Sequence, residues 1–181
     1  MKKGASKLMT EEKFWEIIEN SEHGNDLNEC LAPLSEDELF GFRYWWEYFR
    51  NISYKQDLWA AAYIVLGGCS DDGFDYFRFW LIAQGRKVFY AAMENADSLC
   101  DVFSELAEEG ESPENEDLDY AVQEVLGERS GDSNYFYKAR ENYLMPQNKP
   151  EIEIDWDEDD EESLRKICPR TFDKWWGNDE F

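Results

Sequence analysis

Apolar residues recur every three or four positions along most of this chain, which is the spacing of amphipathic α-helices. Phe14 and Ile17 begin one such stripe, and acidic residues occupy the opposite face. Ser35 and Glu38 fit a capping box, a local sequence that opens helices, ahead of a second stripe. The alternation of apolar and polar residues that is typical of β-strands is not sustained before residue 151. The pattern therefore predicts an all-α fold.

The stretch from Trp59 to Leu66 is apolar on nearly every side, which favours a buried helix at the centre of the domain. Gly67 and Gly68 follow it and predict its end. Ser70 is placed as the N-cap of the next helix, and we expect Gly127 to stop a later one. The apolar spacing and these signals predict helices over residues 11–20, 26–31, 35–51, 55–66, 71–84, 86–93, 98–106, 118–126 and 134–143.

A change of composition near Pro146 predicts three parts in the chain. Residues 1–145 contain nearly all of the helical pattern and form the predicted core domain. Residues 146–162 form an acidic linker or extended segment. Apolar and basic residues return in residues 163–181, and we expect that segment to dock on the core. The expected architecture is a single compact multi-helix domain with an acidic, partly irregular C-terminal segment.

The chain carries a formal net charge of −24, and this charge is distributed unevenly. Residues 94–162 hold 24 acidic and 4 basic residues, so this part accounts for most of the excess. Concentrated negative charge is typical of a solvated segment, or of a surface that attracts a basic partner. No cluster of basic residues is present to neutralise phosphates, so we expect no direct binding to nucleic acid.

Other features limit the classes of function. The longest apolar run is too short to cross a bilayer, and the basic residues at the N-terminus are not followed by the apolar part of a secretory signal. We therefore expect no membrane association and a cytoplasmic location. One histidine, His23, and four widely spaced cysteines give no metal-binding pattern, and the common catalytic motifs are missing. The sequence predicts no metal, no cofactor and no catalytic residues.

Residues 67–86, with the sequence GGCSDDGFDYFRFWLIAQGR, are unusually dense in glycine, acid, aromatic and arginine residues. They resemble the signature G-G-C-S-D-D-x-F-x-Y-F-R-x-W-L-I-x-x-G-R of an uncharacterised bacterial family, which carries only a domain-of-unknown-function label. Ala96 departs from the family, whose members commonly have proline there. The resemblance implies a bacterial, mostly helical, soluble domain, and it implies no reaction. Shorter segments that share the likeness are residues 14–18, 58–63, 97–99, 155–157 and 169–170.

The charged side chains of this signature have two interpretations. As a ligand site, Asp71, Asp72 and Asp75 offer oxygen atoms to a hard cation. Arg78 and Arg86 offer guanidinium groups to a phosphate or carboxylate. As structural residues, the aspartates cap a helix, and Asp71 or Asp75 pairs with Arg78. The structural interpretation is favoured, because Arg78 supplies the positive charge that a metal ion would otherwise provide.

Residues 151–162 also have two interpretations. They are either a disordered solubilising loop or a surface that attracts a basic protein whose cleft binds phosphates. The interleaved Ile152, Ile154 and Trp156 would give such a contact apolar anchors, which solubility alone does not require. An acidic run that should repel itself and stay solvated follows these anchors: Asp157, Glu158, Asp159, Asp160, Glu161 and Glu162.

These observations favour a non-catalytic cytosolic interaction protein that presents an acidic surface to a basic protein partner, as an immunity protein or an inhibitor does. One alternative is a ligand- or metal-dependent enzyme or sensor that uses Asp71, Asp72, Arg78 and Arg86. Another alternative is a small regulatory domain of a larger assembly. The first hypothesis is favoured over an enzyme because the common catalytic patterns are missing.

Overall fold

The computed structural model describes residues 2–147, 150–178 and 181. Within these residues the chain is mainly helical and has one short sheet, which confirms the all-α prediction. None of the helices that these residues form has a membrane-spanning apolar stretch. The helices are α1 (Glu11–Asn20), α2 (Leu27–Leu31), α3 (Glu36–Ile52), α4 (Gln56–Val65), α5 (Asp71–Ala83), α6 (Arg86–Glu94), α7 (Leu99–Glu109), α8 (Ala121–Ser130), α9 (Tyr135–Arg140), α10 (Glu161–Ile167) and α11 (Pro169–Trp175).

The helix starts follow the capping signals in the sequence. The Thr10 hydroxyl accepts an N–H of the first turn of α1 at 3.2 Å. Ser35 and Glu38 form the complete capping box of α3, in which the Ser35 N–H donates to the Glu38 carboxylate at 2.8 Å. The Ser70 hydroxyl accepts the N–H of Gly73 at 3.1 Å and starts α5. Each cap satisfies an N–H group that has no partner within the helix and contributes about 1 kcal/mol.

Helix α3 packs against α1, α5 and α8 and carries much of the aromatic core. Gly41 lets the chain that precedes α1 cross α3 closely, because a Cβ atom at this position would lie 2.9 Å from the backbone nitrogen of Met9. The rings of Trp15 and Phe49 lie with their centroids 4.5 Å apart. Burial of each large apolar side chain contributes about 1.5–3 kcal/mol. The aromatic residues packed between α1, α3 and α6 are Phe14, Trp15, Phe42, Phe49 and Phe89.

Helix α4 is the element to which the C-terminal part of the chain is attached. Its residues Leu58 and Ile64 are fully buried, as expected for a helix that is apolar on nearly every side. Helices α10 and α11 pack against α4, and α11 also contacts α7. The buried side chains that line these contacts from the C-terminal segment are Leu164, Cys168, Phe172 and Trp175.

The prediction that Gly127 ends a helix was wrong. Helix α8 continues through Gly127 to Ser130 and ends at Gly131, whose φ angle of 70° lies in the left-handed region. Glycine adopts that conformation without the steric cost that a Cβ atom brings, so Gly131 is the residue that terminates the helix. Gly127 lies inside the helix, and the apolar spacing could not distinguish it from a glycine that ends a helix.

The predicted helix over residues 134–143 is also shorter than expected. Helix α9 ends at Arg140, and Tyr143–Leu144 (β2) pairs in parallel with Lys3–Gly4 (β1). Long-range contacts hold Tyr143 extended: its ring stacks on Phe40 with centroids 4.0 Å apart, and its hydroxyl donates to Asp37 at 2.6 Å. These partners lie about a hundred residues away in sequence, so the local helical spacing did not predict them.

Candidate functional site

Arg78 of the signature is buried in the body, with a relative exposure of 1%. Its guanidinium carbon lies 4.8 Å from the ring centroids of both Tyr54 and Phe74. It donates to the carbonyl oxygens of Phe74 at 3.2 Å and of Arg50 at 2.6 Å, and it pairs with the Asp75 carboxylate. Burial, with the nearby Arg50, lowers the pKa of Arg78 to about 10. The side chain is therefore still a cation at neutral pH.

The other charged residues of the signature lie at two helix starts. Asp71 and Asp72 are exposed in the first turn of α5, and the Tyr54 hydroxyl donates to Asp71 at 3.0 Å. Arg86 is exposed in the first turn of α6, where it lies 3.6 Å from the Glu11 carboxylate of α1. The structure thus links Asp71 to the buried arginine through one tyrosine, whereas Arg86 has its own partner. Across the described ranges, no group of three or more His, Cys, Asp or Glu residues is arranged to hold a metal ion.

Cys69 precedes the Ser70 cap, and a helix N-terminus lowers the pKa of a nearby thiol. Here the opposite effect dominates, because burial and the nearby Glu114 carboxylate raise the pKa of Cys69 to about 12. Burial also raises the pKa values of the other thiols, those of Cys30, Cys100 and Cys168. The environments of these cysteines therefore oppose formation of the thiolate that a nucleophile requires.

The acidic segment is anchored to the start of α4. The Asp155 N–H donates to the side-chain oxygen of Gln56 at 2.6 Å, and the Gln56 amide donates back to the Asp155 carboxylate at 3.0 Å. The indole N–H of Trp156 donates to the Gln56 carbonyl at 3.0 Å. The Trp156 ring also packs against Tyr63, with centroids 5.3 Å apart. Trp156 is therefore half-buried and attaches the segment to the body.

The residues after Trp156 form a compact turn. The Asp160 N–H donates to the Asp157 carbonyl at 3.0 Å, and the Asp159 N–H donates to the Asp157 carboxylate at 3.0 Å. Ser163 joins the two sides of the turn: its hydroxyl accepts the N–H of Asp157 at 2.9 Å and donates to the Asp160 carbonyl at 2.6 Å. Backbone and side-chain hydrogen bonds thus give this acidic run a defined shape, which favours an ordered surface over the disordered loop that was the other interpretation of the sequence.

The acidic side chains between residues 151 and 162 are all exposed. Glu161 and Glu162 form the first turn of α10, where negative charge interacts favourably with the helix dipole. Glu162 also pairs with Arg165 at 3.1 Å, and Glu158 accepts a hydrogen bond from the hydroxyl of Tyr63 at 2.9 Å. The segment therefore presents its carboxylates to solvent from a structured backbone.

The three apolar residues of the segment differ in exposure. Trp156 is used in docking on α4, and Ile152 is half-buried beside Lys55 and Gln56. Ile154 is 45% exposed, which makes it the apolar side chain of the segment that a partner can reach. Of the three predicted apolar anchors, Trp156 therefore packs against the body, Ile152 is half-buried, and Ile154 is exposed to solvent.

A further group of charged residues, which the sequence reasoning missed, lines a cavity of about 390 Å³ between α3, α8 and α9. Arg43 and Glu47 lie one turn apart on α3 and pair at 2.8 Å, and both are almost completely buried. Arg140 of α9 donates to Glu47 at 3.0 Å. Asp119 accepts hydrogen bonds from Arg43 at 2.9 Å and from the Trp46 indole at 3.0 Å. These contacts join three elements through one ionic network.

Arg50 connects this cavity to the signature. It lines the cavity, lies over the ring of Phe79 at 5.3 Å and pairs with Asp75, which also pairs with Arg78. The sequence contains a pattern from which this site could have been predicted. Arg43 and Glu47 are four residues apart within the apolar stripe of α3, and charged residues are almost never buried without a partner.

Comparison with known families identifies one match. A family model described as a protein of unknown function (DUF4240) matches residues 9–127, about two thirds of the chain. The matched span includes residues 67–86 and the elements from α1 to most of α8, while the acidic segment lies outside it. Neither the curated proteins nor the solved structures contain a significant match.

Proposed function

Because the chain belongs to the DUF4240 family, whose description names no activity, we propose a function from the chain's own geometry. The protein is a non-catalytic cytosolic interaction protein that presents an acidic surface to a basic protein partner. The surface consists of residues 151–162 and is called the acidic face below. The observation that supports this proposal is the attachment of the acidic face to α4 through Gln56 and Trp156.

Attachment matters because a fixed segment binds at a lower entropic cost than a free one. A disordered acidic tail must be ordered at the moment of binding, and this ordering reduces the affinity. Here Ser163 and the turn from Asp157 to Asp160 fix the backbone before a partner arrives. The backbone that carries these exposed carboxylates is therefore already ordered, as preorganised recognition requires.

Charge and an apolar contact serve different roles in this proposal. Clustered carboxylates attract a basic surface over a distance and raise the association rate by about 10- to 1,000-fold at low ionic strength. Ile154 adds an exposed apolar group among these charges. Apolar and aromatic contacts at the centre of an interface contribute most of the binding free energy. The acidic face therefore combines a steering charge with a short-range anchor.

The alternatives are less well supported by the geometry. A ligand- or metal-dependent enzyme or sensor at Asp71, Asp72, Arg78 and Arg86 requires these groups to meet around a ligand. Instead Arg78 is buried against two aromatic rings and paired with Asp75, and Arg86 pairs with a residue of a different helix. A regulatory domain of a larger assembly would use the same acidic face, and the native mass of its complexes would distinguish it from a binary inhibitor.

Removal of charge from the acidic face tests this function. We expect the combined variant Glu153→Gln, Asp159→Asn, Asp160→Asn, Glu161→Gln to associate with its basic partner at least about tenfold more slowly at low salt. These side chains are exposed, so the fold should be retained. The tagged protein is purified from its native cells, co-purifying proteins are identified, and association rates are measured by surface plasmon resonance.

A matched control removes the same charge elsewhere. The variant Glu105→Gln, Glu108→Gln, Glu109→Gln, Glu111→Gln changes four exposed acids at and after the end of α7. It should retain the partner and change the association rate by less than about twofold, because these acids are not part of the acidic face. Equal loss in both variants, or no loss in either, would show that the acidic face does not determine binding.

A further inference from the structure

The arginine-lined cavity is unusual in a chain of this composition. The sequence has 42 acidic residues and 18 lysines and arginines, so exposed positive charge is scarce. Three arginines nevertheless converge on one cavity: Arg43, Arg50 and Arg140. Among the described residues, the acids in the lining are Glu47 and Asp119, so the lining carries one more positive than negative charge. Its volume of about 390 Å³ lies within the range of small-molecule sites.

The arginines are held in place before any ligand arrives. Glu47 fixes Arg140 at 3.0 Å, and Asp75 fixes Arg50 through a second ion pair. Both arginine side chains keep about one third of their surface exposed, at 35% and 32%. Arg43, which also lines the cavity, is almost completely buried and pairs with Glu47 and Asp119. Guanidinium groups that are fixed in this way lose little entropy when they bind an anion.

The buried arginine of the signature has a role in this arrangement. Arg78 donates to the carbonyl oxygen of Arg50 at 2.6 Å and shares Asp75 with the Arg50 side chain. The backbone and the guanidinium of Arg50 are thus both positioned by residues of α5. The Asp75–Arg78 pair is buried in the core, but it therefore also helps to position Arg50 at the cavity.

We propose that this cavity binds a small molecule that carries a phosphate group. A phosphate has several oxygen atoms in a tetrahedral arrangement, so it can accept hydrogen bonds from Arg50 and Arg140 at the same time. The remaining lining suits an organic portion of the ligand. Tyr137, which is 54% exposed, offers a ring surface, and Gln123 offers an amide for hydroxyl groups. No residue of the acidic face lines this cavity, so the proposal is independent of the proposed function.

Binding of inorganic phosphate to the full chain tests the proposal. Isothermal titration calorimetry should detect binding of phosphate to the wild-type protein. Chloride at the same ionic strength should give no such signal. Each of the variants Arg50→Gln and Arg140→Gln should weaken the affinity by about tenfold or more, because each removes a charge-assisted hydrogen bond. In an NMR titration, the side-chain Nε–H signals of these two arginines should shift.

Arg165→Gln is the matched control, because it also removes one exposed arginine but lies on α10, outside the cavity. It should bind phosphate as the wild type does. If Arg140→Gln fails to fold because Glu47 loses a partner, Arg50→Gln decides the result, since Asp75 keeps its pair with Arg78. An absence of phosphate binding, or equal affinity of Arg50→Gln and the wild type, overturns the proposal.

Discussion

Replacement of Asp75 by asparagine is expected to lower the free energy of unfolding by about 3–5 kcal/mol. The substitution keeps the volume of the side chain but removes the negative charge that pairs with Arg78. Arg78 is 1% exposed, so its guanidinium would remain in the core without the carboxylate that pairs with it. Arg50 would lose its carboxylate partner as well. Urea unfolding, followed by circular dichroism, measures the change.

The control for this prediction is Asp72→Asn. Asp72 lies on the same helix, and its side chain is exposed in the first turn of α5. Its charge contributes only through the helix dipole, so the loss should be less than about 1 kcal/mol. Equal losses of unfolding free energy in the two variants would show that Asp75 does not stabilise the buried charge of Arg78.

Replacement of Asp97 by alanine should destabilise the protein by about 3 kcal/mol. The Asp97 carboxylate is almost fully buried and caps the start of α11 from a distant part of the chain. It accepts the N–H of Arg170 at 3.1 Å, and the N–H and hydroxyl of Thr171, each at 2.9 Å. Alanine would leave these three donors without an acceptor. Urea unfolding gives the magnitude, and limited proteolysis should show faster cleavage between residues 161 and 176.

Asp101→Ala is the control for this cap. Asp101 pairs with the Arg170 side chain at 2.6 Å, but its own side chain is 73% exposed. Ion pairs at the surface contribute about 0–1 kcal/mol, so stability and cleavage should change little. If Asp97→Ala leaves cleavage of the C-terminal segment unchanged, the cap does not hold α11 on the body.

The features that could be predicted from the sequence are those whose causes are local. Thr10, Ser35 and Ser70 start their helices because each side chain accepts the N–H of the residue three positions ahead. The apolar spacing located α4 and its burial for the same reason. The glycine at position 127 misled the prediction, because a glycine ends a helix where it adopts the left-handed conformation, and sequence alone does not show which glycine does so.

The features that could not be predicted depend on residues far apart in the sequence. Tyr143 is extended because of Phe40 and Asp37, and α11 is capped by Asp97, more than seventy residues earlier. The candidate sites also combine features with local causes and features with long-range causes. Arg78 could be recognised as a charged residue within an aromatic stretch, but its connection to Arg50 and the cavity required the packing of α5 on α3.

Hydrogen exchange at the backbone amides of Asp155, Asp159 and Asp160 is the most direct test of an anchored acidic face. Each of these N–H groups donates to an oxygen of the protein, on Gln56 or on Asp157. Anchoring predicts that they exchange at least about tenfold more slowly than the same amides in an unfolded chain. Exchange at the rate of an unfolded chain would contradict this, because the carboxylates would then belong to a solvated loop with no fixed surface to offer a partner.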